Sequence, residues 1–142
     1  MSPRIGSYGG ILNSTVRTCL LASGLYGFLG VAGGSLGAHW LKEILDPGDL
    51  NTFEIGIRYQ MYHALALLGT GLVSVRWRNR LFGWACGLFI AGIFFFSGSL
   101  YLLAFTGIGA FGAVAPLGGC SLMAGWATRT IAALRAKANT CG

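Results

Sequence analysis

Charged residues are sparse in this chain and stand between long apolar stretches. No Asp, Glu, Lys or Arg occurs among the 24 residues 18–41, the 17 residues 59–75 or the 48 residues 81–128. A helix rises about 1.5 Å per residue and the hydrocarbon core of a bilayer is about 30 Å thick, so about 20 apolar residues cross it. The first stretch therefore reads as one span. The second is near the lower limit. It becomes long enough if its helix starts near Asn51, with Glu54 as a capping partner after the breaker Asp46-Pro47-Gly48. The third is too long for one span. Its glycine-rich middle, 106–115, ends at Pro116, and proline suits the first turn of a new helix. The pattern predicts an all-α integral membrane bundle of four transmembrane helices at about 18–41, 52–76, 81–105 and 114–132, with an arm over 1–17 and a tail over 133–142.

Periodicity within the helices assigns faces. In helix 1, Gly27, Gly30, Gly34 and Gly37 recur at steps of three and four, and helix 3 repeats the device with Gly83, Gly87, Ala91 and Gly98. Helix 4 carries Ser121 and Gly125. Small residues let membrane helices approach closely, so these faces are expected to pack within the bundle, or against a second copy in a homo-oligomer. In helix 2, Ile57, Met61, Leu65, Leu68 and Leu72 fall on one side and are expected to meet lipid. Gln60, His63, Ala66, Thr70 and Ser74 fall on the other and are expected inside.

Composition supports a membrane location. Hydrophobic residues make up 54% of the chain and charged residues 10%, too few to coat a water-facing surface. The formal charge of +6 would suggest nucleic acid in a soluble protein, but these basic residues flank apolar spans, and no nucleic-acid role is expected. Eight basic residues and no acid fall on the arm (Arg4, Arg17), the second loop (Arg76, Arg78, Arg80) and the end of the chain (Arg129, Arg135, Lys137). The first loop holds Lys42 and Arg58 together with all four acids. The positive-inside rule then places both termini in the cytoplasm of a bacterial inner membrane, or in the matrix if the protein is mitochondrial. Helix 1 is too long for the apolar core of a cleaved signal peptide. The cysteines have no metal-site or disulfide-framework spacing.

Candidate chemistry is confined to a polar intramembrane group. An ionisable residue inside a membrane is a functional candidate by default. His63 shares a helix face with Gln60, and Tyr101 on helix 3 and His39 at the end of helix 1 complete the set. Either His63 is a neutral packing residue, with Tyr101 and Ser97 as expected partners, or the group forms a proton or small-solute site. Paired haem ligation is not expected, because His39 sits near the helix boundary and His63 deeper; no cofactor or metal is expected. Gly107-Ile108-Gly109-Ala110-Phe111-Gly112 spells G-x-G-x-x-G, but a membrane helix precedes it and no acid follows, so it reads as a turn.

The runs Gly37-Ala38-His39-Trp40-Leu41-Lys42, Phe53 to Leu68 (with its Tyr-Gln-Met-Tyr-His-Ala-Leu core), Phe96-Ser97-Gly98-Ser99-Leu100-Tyr101 and Ala115-Pro116-Leu117-Gly118-Gly119 carry a resemblance. Over about Gly24 to Trp126 the chain resembles the YgdD-like family of small bacterial inner-membrane proteins, a family of unknown function with eukaryotic membrane relatives. That resemblance implies four membrane helices and supplies no catalytic residues. The expected function is a structural or accessory bundle without enzymatic activity, partnered by membrane lipids and by a larger complex or a second copy. The alternative is an oligomeric small-solute or proton-linked transporter built around Gln60 and His63. All four carboxylates lie in the first loop, which weakens the ion-coupled alternative.

Overall fold

The computed structural model describes residues 13–136, which form four long helices and two short helical turns. Arg4, Lys137 and Cys141 lie outside the described residues. Helix α1 spans Ser14–His39. It starts before the apolar stretch because the Asn13 side chain accepts a hydrogen bond from the Val16 amide at 2.9 Å, capping the first turn. A 3-10 turn, Leu41–Glu43, leads to α2, Pro47–Arg76. The expected start near Asn51 is corrected to Pro47, whose missing N–H suits the first helical turn; Asn51 and Glu54 lie inside the helix.

Helix α3 spans Arg80–Thr106 and is capped by Asn79, whose side chain accepts from the Leu81 amide at 3.0 Å. It ends at Gly107, whose φ of 67° is the left-handed conformation that favours glycine at a helix terminus. The glycine motif then becomes this cap plus the one-turn α4, Gly109–Gly112. Helix α5, Ala115–Arg135, has Pro116 in its first turn.

Each long helix packs chiefly, and antiparallel, against its neighbour in sequence: α1 on α2, α2 on α3 and α3 on α5. Among the described residues this gathers Arg17, Arg76, Arg78, Arg80, Arg129 and Arg135 toward one end and every carboxylate side chain at the other. Among the described residues three segments are long and apolar enough to cross a membrane: Ser14–Glu43, Arg80–Thr106 and Gly109–Arg135. Helix α2 is more polar, and it buries ten residues where α1 buries four. Large apolar side chains, among them Phe28, Leu65, Phe94, Leu117 and Leu134, cover the outside of all four helices. That pattern suits hydrocarbon surroundings better than water.

The seams use glycine, at positions that differ in part from those the spacing predicts. On α1, Gly30 faces Met61, Gly33 faces Ile57 and Gly37 faces Phe53, all on α2; Gly34 is in ordinary contact, 3.7 Å from Ile57 for an added Cβ. Ile57 and Met61 therefore pack against α1, a correction to their expected lipid exposure. Leu65, Leu68 and Leu72 are exposed, and Gln60, His63, Ala66, Thr70 and Ser74 are buried. Gly27, Gly87 and Gly98 meet no atom within 4 Å of an added Cβ, and Gly83 meets only the Thr15 hydroxyl at 3.3 Å. The close approach on α3 is at Gly92, which receives Leu122 of α5. The face is set by the buried Phe82, Phe89 and Ile93, and glycine appears on it only where Leu122 needs room. On α5, Gly118 lies against the Phe96 backbone and Gly125 against the Phe89 ring.

Candidate functional site

The polar side chains inside the bundle form two groups on α2, one turn apart. At the first, Gln60 is buried and bonds in two directions. Its Nε2–H donates to the Tyr26 carbonyl of α1 at 2.8 Å, and its Oε1 accepts from the Tyr101 hydroxyl of α3 at 2.8 Å. Gly30 lies beside this bond, where an added Cβ would be in ordinary contact with Gln60 Nε2 at 3.5 Å and would press on the Met61 thioether. Gly56 makes room for the Tyr101 ring, and Ser97 of α3 donates to the Gly56 carbonyl at 2.8 Å. The Tyr26 hydroxyl in turn donates to the Ile90 carbonyl at 3.1 Å, joining α1 to α3.

The second group centres on His63. Its Nδ1 lies 2.7 Å from the Tyr59 carbonyl one turn back, and its Nε2 lies 3.2 Å from the indole N–H of Trp126 on α5. A carbonyl only accepts and an indole N–H only donates, so the geometry assigns a neutral ring with its proton on Nδ1. An imidazolium would set a second N–H against the indole. The Tyr59 ring stacks on His63 with centroids 6.1 Å apart, and Phe89 and Trp126 complete the surround at 5.8 and 6.2 Å. The Arg129 guanidinium lies over the Trp126 ring, 5.3 Å from its centroid.

Of the candidate residues, the structure brings Gln60 and Tyr101 together. His63 points instead toward α5, and its partners are Tyr59 and Trp126 where Tyr101 and Ser97 were expected. Three residues on a helix turn the side chain about 60° from the first, enough to address a different neighbour. His39 is exposed on the last turn of α1, two residues past Gly37 and its contact with Phe53. Tyr26 and Trp126 escape sequence reasoning. A tyrosine in an apolar helix and a tryptophan near a basic helix end both read as ordinary membrane-helix residues.

The rest of the α2 polar stripe is satisfied locally: Thr70 donates to Ala66 O at 2.7 Å and Ser74 to Gly71 O at 2.8 Å. Ser121 of α5 donates to Leu88 O of α3 at 2.8 Å. Every buried side-chain nitrogen and oxygen among the described residues has a partner. Cys19 of α1 and Cys86 of α3 are buried against each other. Among the described residues no three His, Cys, Asp or Glu side chains converge.

The model of a family described as "Protein of unknown function (DUF423)" matches residues 33–119. The chain belongs to the DUF423 family. It is 36% identical over 123 residues to the UPF0382 inner membrane protein YgdD of Escherichia coli K12, covering 87% of this chain and 94% of that protein. It is 38% identical over 120 residues to a UPF0382 membrane protein of Staphylococcus epidermidis, covering 84% and 98%. No solved structure matches. The DUF423 chain described here is thus an all-helical membrane protein, and its homologues carry membrane names and no stated activity.

Proposed function

We propose that this DUF423 protein is a non-catalytic accessory bundle of the bacterial inner membrane, with four membrane spans and both termini in the cytoplasm. One observation carries the accessory role: the interior polar side chains that reach beyond their own helix tie helices to one another, and the others bond within their helix. Gln60 joins α1 and α3 through α2, Ser97 joins α3 to α2, Ser121 joins α5 to α3, and Trp126 joins α5 to α2. A transport path needs polar groups free to exchange partners with a solute. Here both polar ends of Gln60 and both nitrogens of His63 are already engaged. Helix α2 completes the count of spans because its 30 residues, about 45 Å long, lie between α1 and α3, with the polar face turned inward. The orientation rests on the excess of arginine at the end shared by the α2–α3 loop and the end of α5.

Two measurements test this. In intact cells, with Cys120 and Cys141 replaced by serine, a membrane-impermeant thiol reagent should label Asp49→Cys and spare Asn79→Cys until the membrane is opened. The reverse pattern would invert the topology. In reconstituted vesicles the parent should show no pH-dependent flux above empty vesicles. A flux that Gln60→Leu abolishes in a folded variant would replace the accessory role with transport.

A further inference from the structure

Arg80 lines two neighbouring cavities. One, about 650 Å³, lies between the α2–α3 loop and the end of α5 and is lined by Arg76, Arg78, Arg80 and Arg135 with Trp77 and Asn79. The other, also about 650 Å³, is a groove along α3 beside the start of α1, with Arg80, Gly83, Trp84, Gly87 and Leu88 on one wall and the hydroxyls of Ser14 and Thr15 on the other. All four carboxylate side chains of the sequence fall within residues 43–54, at the far end of the bundle, so none of them neutralises Arg76, Arg80 or Arg135. Guanidinium groups match phosphate oxygens in geometry as well as charge. Basic pockets between membrane helices at the interface are where anionic lipid headgroups bind.

We propose that these two cavities form one binding site for an anionic phospholipid. Its phosphate is held by Arg76, Arg80 and Arg135, and one acyl chain lies in the groove over Gly83 and Gly87. The groove favours a lipid over a free phosphate, because its Gly83, Trp84, Gly87 and Leu88 wall offers an acyl chain a bed and a soluble anion nothing to bind. It also gives a role to Gly87, where an added Cβ would meet no atom within 4 Å and would project into the groove. Trp84, 70% exposed, flanks the channel at the level where tryptophan sits in a bilayer interface. The site requires that the arginine end lie at a membrane surface, whichever surface it is, and it does not depend on the accessory role. A transporter with this site would bind the same lipid, so either claim can fail without the other.

The test is native mass spectrometry of the full chain in mild detergent, titrated with phosphatidylglycerol, with phosphatidylcholine of identical acyl chains, and with glycerol phosphate. The parent should bind phosphatidylglycerol at least about tenfold more tightly than phosphatidylcholine. Arg80→Gln should lose about fivefold, the ratio given by about 1 kcal/mol per basic residue at an anionic surface. The R76Q/R80Q/R135Q variant should lose the preference, while Arg58→Gln, at the opposite end, should keep it. Gly87→Phe should weaken the lipid and leave glycerol phosphate unchanged. Thermal melts establish that each variant is folded, and the single substitutions decide if the triple one is not. Equal binding of the two lipids, or a preference that survives Arg80→Gln, would overturn the site. Glycerol phosphate binding as tightly as the lipid, with no effect of Gly87→Phe, would mark a soluble-anion site and would also overturn it.

Discussion

The α1–α2 and α3–α5 seams are built from the same two devices, glycines at the closest approaches and a side chain donating to a carbonyl across the gap, yet those glycines differ in tolerance. Between α1 and α2, an added Cβ at Gly30 or Gly33 meets the flexible ends of Met61 and Ile57. Between α3 and α5, an added Cβ at Gly118 meets the backbone of Phe96, and at Gly92 it meets Leu122, including its amide nitrogen at 3.0 Å. A side-chain end can swing aside, but a helix backbone moves only with its helix. Close approach in lipid is therefore not one property: Gly30 and Gly33 mark an adjustable stretch of one seam, and Gly92 and Gly118 a rigid stretch of the other.

The largest effect expected from this contrast is at Gly118. Gly118→Ala should destabilise the protein by about 3 kcal/mol, the upper end for a methyl forced into a packed interior, because the α3 backbone must retreat. Thermal unfolding in detergent measures it, and a melt equal to the parent would mean that α3 and α5 are not held at this distance. An intermediate effect is expected at His63. His63→Leu should cost about 1 kcal/mol by leaving the Trp126 indole without its acceptor, and Trp126 is 44% exposed, which moderates the loss. His63→Gln, which keeps an acceptor, should recover part of it. Quenching of tryptophan fluorescence by a lipid-soluble quencher should rise in His63→Leu; unchanged quenching would detach Trp126 from the histidine. The smallest effect is expected at Gly30. Gly30→Ala should cost less than about 1 kcal/mol, because the Met61 thioether is unbranched and repacks. A loss as large as that at Gly118 would erase the distinction between the seams.

The sequence reveals most where a single helix suffices. The charge-free stretches mark the long helices, and 3.6-residue periodicity puts Gln60, His63, Thr70 and Ser74 on the inner face of α2, where they are buried. It fails where a second helix decides. Ile57 and Met61 belong to the outer face of α2 until the glycines of α1 lay that helix across them. Gly83, Gly87 and Gly98 follow helical spacing as well as Gly92 does, and only the position of Leu122 on α5 separates them. His63 and Gln60 share a face, yet their bonds run to different helices, and the tautomer of His63 depends on a tryptophan 63 residues away. The early start of α2 is a local miss: Pro47 outcompetes the Asn51 and Glu54 pair because a proline at the first turn sacrifices no hydrogen bond.

The claim that interior polar groups tie helices together is tested most directly by a double-mutant cycle at Gln60 and Tyr101, whose side chains meet at 2.8 Å. The stabilities of the parent, Gln60→Leu, Tyr101→Phe and the double variant in detergent give the coupling between them. A tie between α2 and α3 predicts a coupling of about 0.6 kcal/mol or more, the range found for hydrogen bonds between membrane helices. Strict additivity in four folded proteins would contradict it.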